Sequence, residues 1–209
     1  MAFKTGEREY RAMPLLSPAA NQIKRFESDF YVEGFATTFG KPYMLWESDG
    51  VKYFEVISRN ALDGADLSDV IMQYDHGGKV LARITNKTLG LEPTDDGLFT
   101  FADLSKSVAA KEMYEEINNG LITRMSWAFI VSADAYDRTT HTRTITKIKK
   151  VFDVSAVSIP ANPGTEISAR SYFDGVIKEE QAERLARRTQ IIRIRMNLGG
   201  FSHGQTAGN

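Results

Sequence analysis

The sequence contains no cysteine among its 209 residues. This absence excludes disulfide bonds, thiol nucleophiles and thiolate metal sites together, and it fits a reducing cytoplasm. Histidine is also scarce: the chain has only His76, His141 and His203, and no two of them stand at the spacing of zinc ligands. We therefore predict no zinc site and no cofactor.

Long apolar runs and an excess of one charge are missing as well. Residues 1–9 lack the apolar core of a signal peptide, and no apolar stretch approaches the length of a membrane span. The formal net charge is -1, so the chain as a whole exerts no general attraction on nucleic acid or on an anionic membrane. We expect a protein without a secretion signal that requires neither nucleic acid nor a membrane.

What the sequence does contain is the pattern of a mainly β protein. Alternating or β-branched segments predict strands at 8–13, 29–39, 52–57, 70–76, 79–84, 88–92, 98–103, 120–131, 143–148 and 151–159. Residues 40–50 are interpreted as a looser segment, and Asp96-Gly97 predicts a hairpin turn. Ser107 is the predicted N-cap of one internal helix that ends at 118–120. Many short strands with one helix indicate an α+β fold, mainly β, built as a barrel or sandwich.

The composition changes to a helical pattern from residue 174 onward. Glutamates come early and arginines late, an order that complements a helix dipole. The alternating three- and four-residue spacing of a coiled-coil seam is present at Ala182, Leu185, Thr189, Ile192 and Met196. Two heptads are too few to establish a coiled coil, so a docked amphipathic helix is the preferred interpretation. We divide the chain into a domain at 1–170, an amphipathic helix at 171–198 and a flexible tail at 199–209.

One predicted strand, 120–131, carries a single hydroxyl among large apolar side chains. Since side chains alternate along a strand, one face presents the core residues Met125, Trp127, Phe129 and Val131. Ser126 lies on the other face with Ala128 and Ile130, where small neighbours leave a hydroxyl room to reach a substrate. A serine also fits such a position simply because a larger side chain would not.

Acyl transfer by a serine requires a base that takes its proton and an acid that orients the base. The chain supplies His76, Ser126 and Asp153 in that order, each on or beside a predicted strand, so a closed sheet could bring them together. Each also has a structural explanation, such as a loop histidine or an aspartate paired with a lysine. Spacing alone leaves three further acidic partners open: Asp75, Asp137 and Glu55.

Several segments together resemble the prohead maturation proteases of tailed bacteriophages. The likeness spans roughly residues 8–170 and is carried by Tyr74-Asp75-His76-Gly77, Val80-Leu81-Ala82-Arg83, Gly90-Leu91-Glu92, Asp96-Gly97-Leu98, Met125-Ser126-Trp127-Ala128-Phe129, Asp153-Val154-Ser155 and Pro160-Ala161-Asn162-Pro163. A match distributed over many segments is more specific than any single motif. Two positions depart from the family pattern: Gly77 replaces a common acidic residue, and Trp127-Ala128-Phe129 replaces Phe-Gly-Phe.

The resemblance implies a serine endopeptidase of the assemblin type, similar in fold to the herpesvirus capsid maturation proteases: a small closed β-barrel surrounded by helices. It implies Ser126 as nucleophile and His76 as base. It implies Asp153 as the third member, where herpesvirus assemblins use a second histidine. Candidate oxyanion donors are backbone amides around 160–164 or the side chain of Arg170.

The resemblance also implies a place of action and substrates. These are the host bacterial cytoplasm, inside the assembling prohead, and the scaffolding protein, the N-terminal part of the major capsid protein and the protease itself, with a homodimer as a further expectation. An alternative is a catalytically inactive barrel that serves as a scaffold or capsid-assembly binding module. A third, an unrelated barrel that binds small molecules, predicts that His76, Ser126 and Asp153 lie far apart.

Overall fold

A computed structural model describes residues 6–14, 24–158 and 163–199. The chain separates into two compact units, Met1–Arg170 and Ser171–Asn209. In the described part of the first unit, the strands are β1 Arg8–Pro14, β2 Tyr31–Thr38, β3 Tyr43–Ser48, β4 Val51–Ile57, β5 Ile71–Tyr74, β6 Val80–Arg83, β7 Leu89–Pro93, β8 Gly97–Asp103, β9 Arg124–Asp137 and β10 Thr142–Val157. Two α-helices are described, α1 Val108–Asn118 and α2 Pro163–Gly199, and a short 3-10 helix at Leu104–Lys106 precedes α1. The mainly β, α+β class is thereby confirmed, whereas the domain division stays a prediction and 200–209 of its tail lie outside the described residues.

The described strands form two sheets. One has seven strands in the order β1-β9-β10-β4-β3, with β5 paired to β10 and β6 paired to β5; the other has the order β2-β8-β7. One edge of β10 pairs with β9. The opposite edge of β10 pairs with β4 near the start of β10 and with β5 near its end. A strand that changes neighbour along one edge forks the sheet. No closed barrel is found in the described part of the chain, and the likeness to assemblins stays a prediction.

Two predicted loops proved to be strand. Residues 40–50 contain β3, which turns into β4 through Asp49 and Gly50, whose φ angles are 51° and 77°. Asp-Gly is a hairpin signal that the prediction used only at 96–97, where a hairpin between β7 and β8 is confirmed. The turn expected between 143–148 and 151–159 is absent, because β10 passes through these residues with register shifts instead of turning back.

Helix α1 begins as predicted, since the Ser107 hydroxyl accepts a hydrogen bond of 3.1 Å from the Ala110 amide. Its inner face buries Ala110 and Met113 in the main core. The helix ends before Gly120, whose φ of 72° favours glycine. The chain then enters β9, so α1 fixes the start of the strand that carries Ser126.

The predicted core face of β9 is confirmed, because Met125, Trp127, Phe129 and Val131 are all buried. The Trp127 and Phe129 rings stack with their centroids 4.1 Å apart.

Beyond the β region, the chain is already helical at Pro163, earlier than the predicted start at 174, because proline is well tolerated in the first turn of a helix. Within α2 several large apolar side chains are exposed: Leu185, Ile191, Ile192, Ile194 and Met196.

A cluster of buried charges lies on the core face of the large sheet. Arg11 is opposite Trp127 in the ladder and so points to the core. Its guanidinium donates to both carboxylate oxygens of Glu55, from Nε at 2.6 Å and Nη2 at 2.8 Å. Glu55 also accepts from the Tyr43 hydroxyl at 2.6 Å and from Arg143 Nη1 at 3.2 Å, and Glu9 bridges the two arginines. The cluster ties β1, β3, β4 and β10 together.

The charges in this cluster hold one another ionised. Burial alone would raise the pKa of the Glu9 carboxyl, but attraction to Arg11 and hydrogen bonding to Arg143 outweigh burial and lower that pKa. Burial alone would lower the pKa of Arg11, but Glu55 and Glu9 hold it well above its ordinary value. Burial and the Glu55 charge raise the pKa of the Tyr43 hydroxyl. The Glu9 carboxylate and the Arg11 guanidinium are therefore fixed charges at neutral pH.

Replacing Glu55 by alanine should destabilise the fold by about 3–5 kcal/mol, because the change leaves two buried arginines short of a partner. Urea unfolding followed by tryptophan fluorescence measures the loss.

Because the pKa of Glu9 is lowered by folding, the wild-type cluster stabilises the protein at neutral pH. That part of the stability should be lost as the pH falls below the ordinary carboxyl range towards the lowered pKa.

The matched control for Glu55→Ala is Glu92→Ala, which removes a glutamate from an exposed 3.4 Å ion pair with Arg25. Exposed pairs contribute about 0–1 kcal/mol, so its unfolding midpoint should stay near that of the wild type. An equal loss in the two variants would show that burial of Glu55 has no special role.

Candidate active site

Ser126 lies at the centre of four hydrogen-bonded strands. It is opposite Ala12 of β1 on one side and Ser155 of β10 on the other, and Ser155 is in turn opposite Gln73 of β5. Its side chain points away from the Trp127 core face, as predicted, because neighbours along a strand alternate. The position is only 3% exposed, so this face is more covered than the sequence indicates.

His76 is carried by the tight turn between β5 and β6. Asp75 and His76 have φ angles of 44° and 56°, and they occupy the two central positions of a turn closed by the Gly77 amide, which donates to the Tyr74 carbonyl at 3.2 Å. Such backbone is costly for residues other than glycine and persists only where the surroundings enforce it. Two contacts to the end of β10 do so: the Asp75 amide donates to the Ala156 carbonyl at 3.1 Å, and the Ser158 hydroxyl donates to the Asp75 carboxylate at 3.1 Å.

The structure brings together the three residues singled out in the sequence. His76 Nε2 lies 2.6 Å from Ser126 Oγ, and His76 Nδ1 lies 2.6 Å from Asp153 Oδ1. In the tautomer in which Nδ1 donates to the Asp153 carboxylate, Nε2 is left as an acceptor that faces the serine hydroxyl. This arrangement can remove a proton from Ser126 as its oxygen attacks a carbonyl.

Two further side chains adjoin the imidazole and its carboxylate. The Tyr10 ring of β1 meets the His76 ring edge-on, with centroids 4.6 Å apart and an interplanar angle of 68°. The Ser155 hydroxyl donates to Asp153 Oδ1 at 2.8 Å. The sequence analysis identified neither residue. The signal for Ser155 was its period-two spacing from Asp153 on one predicted strand, whereas Tyr10 lies far from the site in sequence and had no signal.

The three alternative acidic partners are occupied elsewhere. Asp75 accepts from Ser158, and Glu55 belongs to the buried charge cluster on the opposite face of the sheet. Asp137 accepts a hydrogen bond of 2.7 Å from the Thr139 amide, and this donation lowers the pKa of its carboxyl. Of the proposed oxyanion donors, residues 160–162 and the Arg170 side chain lie outside what the structure describes.

Within the described ranges, no group of three or more histidine, aspartate or glutamate side chains is arranged to hold a metal ion. Neither of the two described α-helices combines the length and apolar character required to cross a membrane.

Comparison with known proteins identifies the family of this chain. A family model described as the caudovirus prohead serine protease matches residues 19–178. Among solved structures, the chain is similar to the bacteriophage T4 capsid assembly protease, gp21, at 9% sequence identity and a TM-score of 0.46, over 74% of this chain and 100% of that one. No curated protein matches the chain. Because the family model spans more than half of its length, the chain belongs to the caudovirus prohead serine proteases, which act in phage capsid maturation.

Proposed function

We propose that this protein is a serine endopeptidase in which Ser126 is the nucleophile, His76 the general base and Asp153 the residue that orients the base. The observation that supports the assignment is the continuous chain of two 2.6 Å contacts from the Ser126 hydroxyl through the imidazole to Asp153. Ser126 lies on β9, Asp153 on β10 and His76 in the turn between β5 and β6, so their alignment does not follow from proximity in sequence. Membership of a serine protease family supports the same chemistry.

In the proposed reaction, Ser126 Oγ forms a bond to the peptide carbonyl carbon while its proton passes to His76 Nε2. The imidazolium is stabilised by the Asp153 carboxylate, and its proton then goes to the leaving amine as the carbon–nitrogen bond breaks. Water attacks the acyl-enzyme with His76 again as base, which releases the new carboxyl terminus and restores Ser126. General-base assistance of this kind contributes about a hundred- to ten-thousandfold.

The proposed substrates are the scaffolding protein and the N-terminal part of the major capsid protein inside the prohead, together with the protease's own C-terminal segment. Membership of a prohead protease family supports capsid-related substrates in general, and the particular proteins, self-cleavage and a homodimer are proposals. The proposed place of action is the host bacterial cytoplasm, within the assembling capsid. Confinement there would raise the substrate concentration, so modest catalytic efficiency would suffice.

The test is the intact mass of the wild type and of Ser126→Ala, alone and after mixing with the cognate capsid precursor. We expect serine-dependent shortening of the precursor, of the protease, or of both. In parallel, a fluorophosphonate probe should label the wild type at Ser126, since the serine oxygen displaces fluoride from phosphorus with His76 taking the proton.

Ser132→Ala is the matched control, because Ser132 is an exposed serine on the same strand whose hydroxyl donates to the Lys147 carbonyl at 3.2 Å. This variant should cleave and be labelled as the wild type is. If folded wild-type protein produces no shortening and no labelling, the proteolytic assignment is wrong. A catalytically inactive scaffold or capsid-assembly binding module then becomes the better explanation.

A further inference from the structure

Ser155 is a fully buried residue, 0% exposed, at the centre of the sheet that carries the site. It lies directly between Ser126 of β9 and Gln73 of β5 in the strand register. Its hydroxyl is a polar group in a closed environment, where an unpaired donor would be costly. The hydroxyl has a partner, because it donates to Asp153 Oδ1 at 2.8 Å.

The Ser155 hydroxyl donates to the same oxygen of Asp153 that faces His76. Oδ1 is also the atom that accepts from His76 Nδ1 at 2.6 Å, so the serine and the histidine share one acceptor. Asp153 is only 1% exposed, so the orientation of its side chain is set by its hydrogen-bond partners in the protein and not by water. Two donors that converge on one oxygen also fix the rotation of the carboxylate.

We propose that Ser155 is a positioning residue of the protease: it fixes the rotation of the Asp153 carboxyl group and keeps Oδ1 aimed at His76 Nδ1. This inference rests on the proposed function of Ser126, His76 and Asp153. Ser155 touches neither the substrate nor the reacting atoms, and it acts through the carboxylate. The competing explanation is that a small residue is needed between β9 and β5 and that its hydroxyl is incidental.

The two explanations differ in what Ser155→Ala does, since alanine fills almost the same volume without the donor. If the hydroxyl positions Asp153, the limiting rate of fluorophosphonate labelling at Ser126 should fall by about ten- to a hundredfold, the equivalent of one hydrogen bond to a charged group. The probe concentration that gives half of this rate should not change, because Ser155 does not contact the probe. Ser132→Ala serves again as the matched serine-to-alanine control.

A second readout does not depend on turnover. The proton on His76 Nδ1 is measured by NMR of ¹⁵N-histidine-labelled protein in a Ser126→Ala background, with and without Ser155→Ala. Its resonance should lie far downfield while the bond to Asp153 is held. It should move upfield and exchange faster with water when Ser155 is removed. A purely space-filling serine predicts no change.

An unchanged limiting rate together with an unchanged Nδ1 proton would overturn the proposal. If Ser155→Ala does not fold, Ser155→Cys provides a similar shape with a weaker donor, and it should give an intermediate rate and an intermediate proton shift. A cysteine variant with wild-type behaviour in both measurements would equally overturn it. If the wild type is not labelled at all, the proposed function fails, and the movement of the Nδ1 proton still decides the role of Ser155.

Discussion

The His76→Ala variant should keep its fold and lose cleavage of the capsid precursor almost completely. Among the residues that the structure describes, His76 is the side chain hydrogen-bonded to Ser126 Oγ, so its removal leaves the hydroxyl proton without this acceptor. Removal of the base from a serine–histidine–aspartate site costs about 10⁶-fold in turnover, close to the loss from removing the serine itself. The measurement is the initial rate of precursor shortening by intact mass, with the thermal unfolding midpoint recorded on the same samples.

The His76 turn requires a second variant, because its backbone has a positive φ of 56°. Asparagine is well tolerated in that region, so His76→Asn removes the imidazole while it preserves the turn. The matched control is His141→Ala, which changes another histidine with a positive φ, 50°, at the turn between β9 and β10. Full activity in His76→Asn, or equal losses at His76 and His141, would contradict the assignment of His76 as base.

The second large effect is expected at Asp153. Replacement by alanine should lower turnover by about 10⁴-fold, because the imidazolium formed during the reaction loses its counter-charge and Nδ1 loses the acceptor that fixes the tautomer. The loss should fall on the limiting rate rather than on substrate binding. Initial cleavage rates, measured over a range of precursor concentrations up to saturation, separate the limiting rate from substrate binding.

Asp153→Asn should lose about as much activity as Asp153→Ala. The asparagine amide carries no charge, and its NH2 group can face His76 Nδ1, which fixes the imidazole in the wrong tautomer for a base. Asp137→Ala is the control, since this exposed aspartate was an alternative acidic partner and its carboxylate accepts a hydrogen bond of 2.7 Å from the Thr139 amide. A larger loss at Asp137 than at Asp153 would mean that the acidic member had been assigned wrongly.

The sequence predicted where the chemical groups lie but not how they are held. The alternation of β9 places Met125 and Trp127 in the core and Ser126 on the other face, and two-residue periodicity is enough to derive this. The turn at His76 was predicted only as a strand end before glycines, since the paired positive φ angles depend on contacts with the distant end of β10. Those contacts cross more than 80 residues, and no local pattern encodes them.

The fold shows the same division between local and distant information. The Ser107 cap and the Asp96-Gly97 hairpin were predicted correctly because both are local hydrogen-bonding devices. The forked sheet was not predicted, because the sequence does not reveal that β10 pairs with β4 along its first part and with β5 along its last. The buried charges of Glu55 and Arg11 were also missed, since each has the sequence character of an exposed residue until its partner is known.

The place of β10 in the chain has a consequence for timing on the ribosome. The proposed nucleophile and base are both synthesised before this last strand, which supplies Asp153, Ser155 and the Ala156 carbonyl that anchors the His76 turn. A nascent chain that ends before residue 153 therefore has the reactive groups without the strand that aligns them. Since domains fold as their sequence emerges, we expect the proposed nucleophile and base to become aligned only once this final strand of the β region has been synthesised.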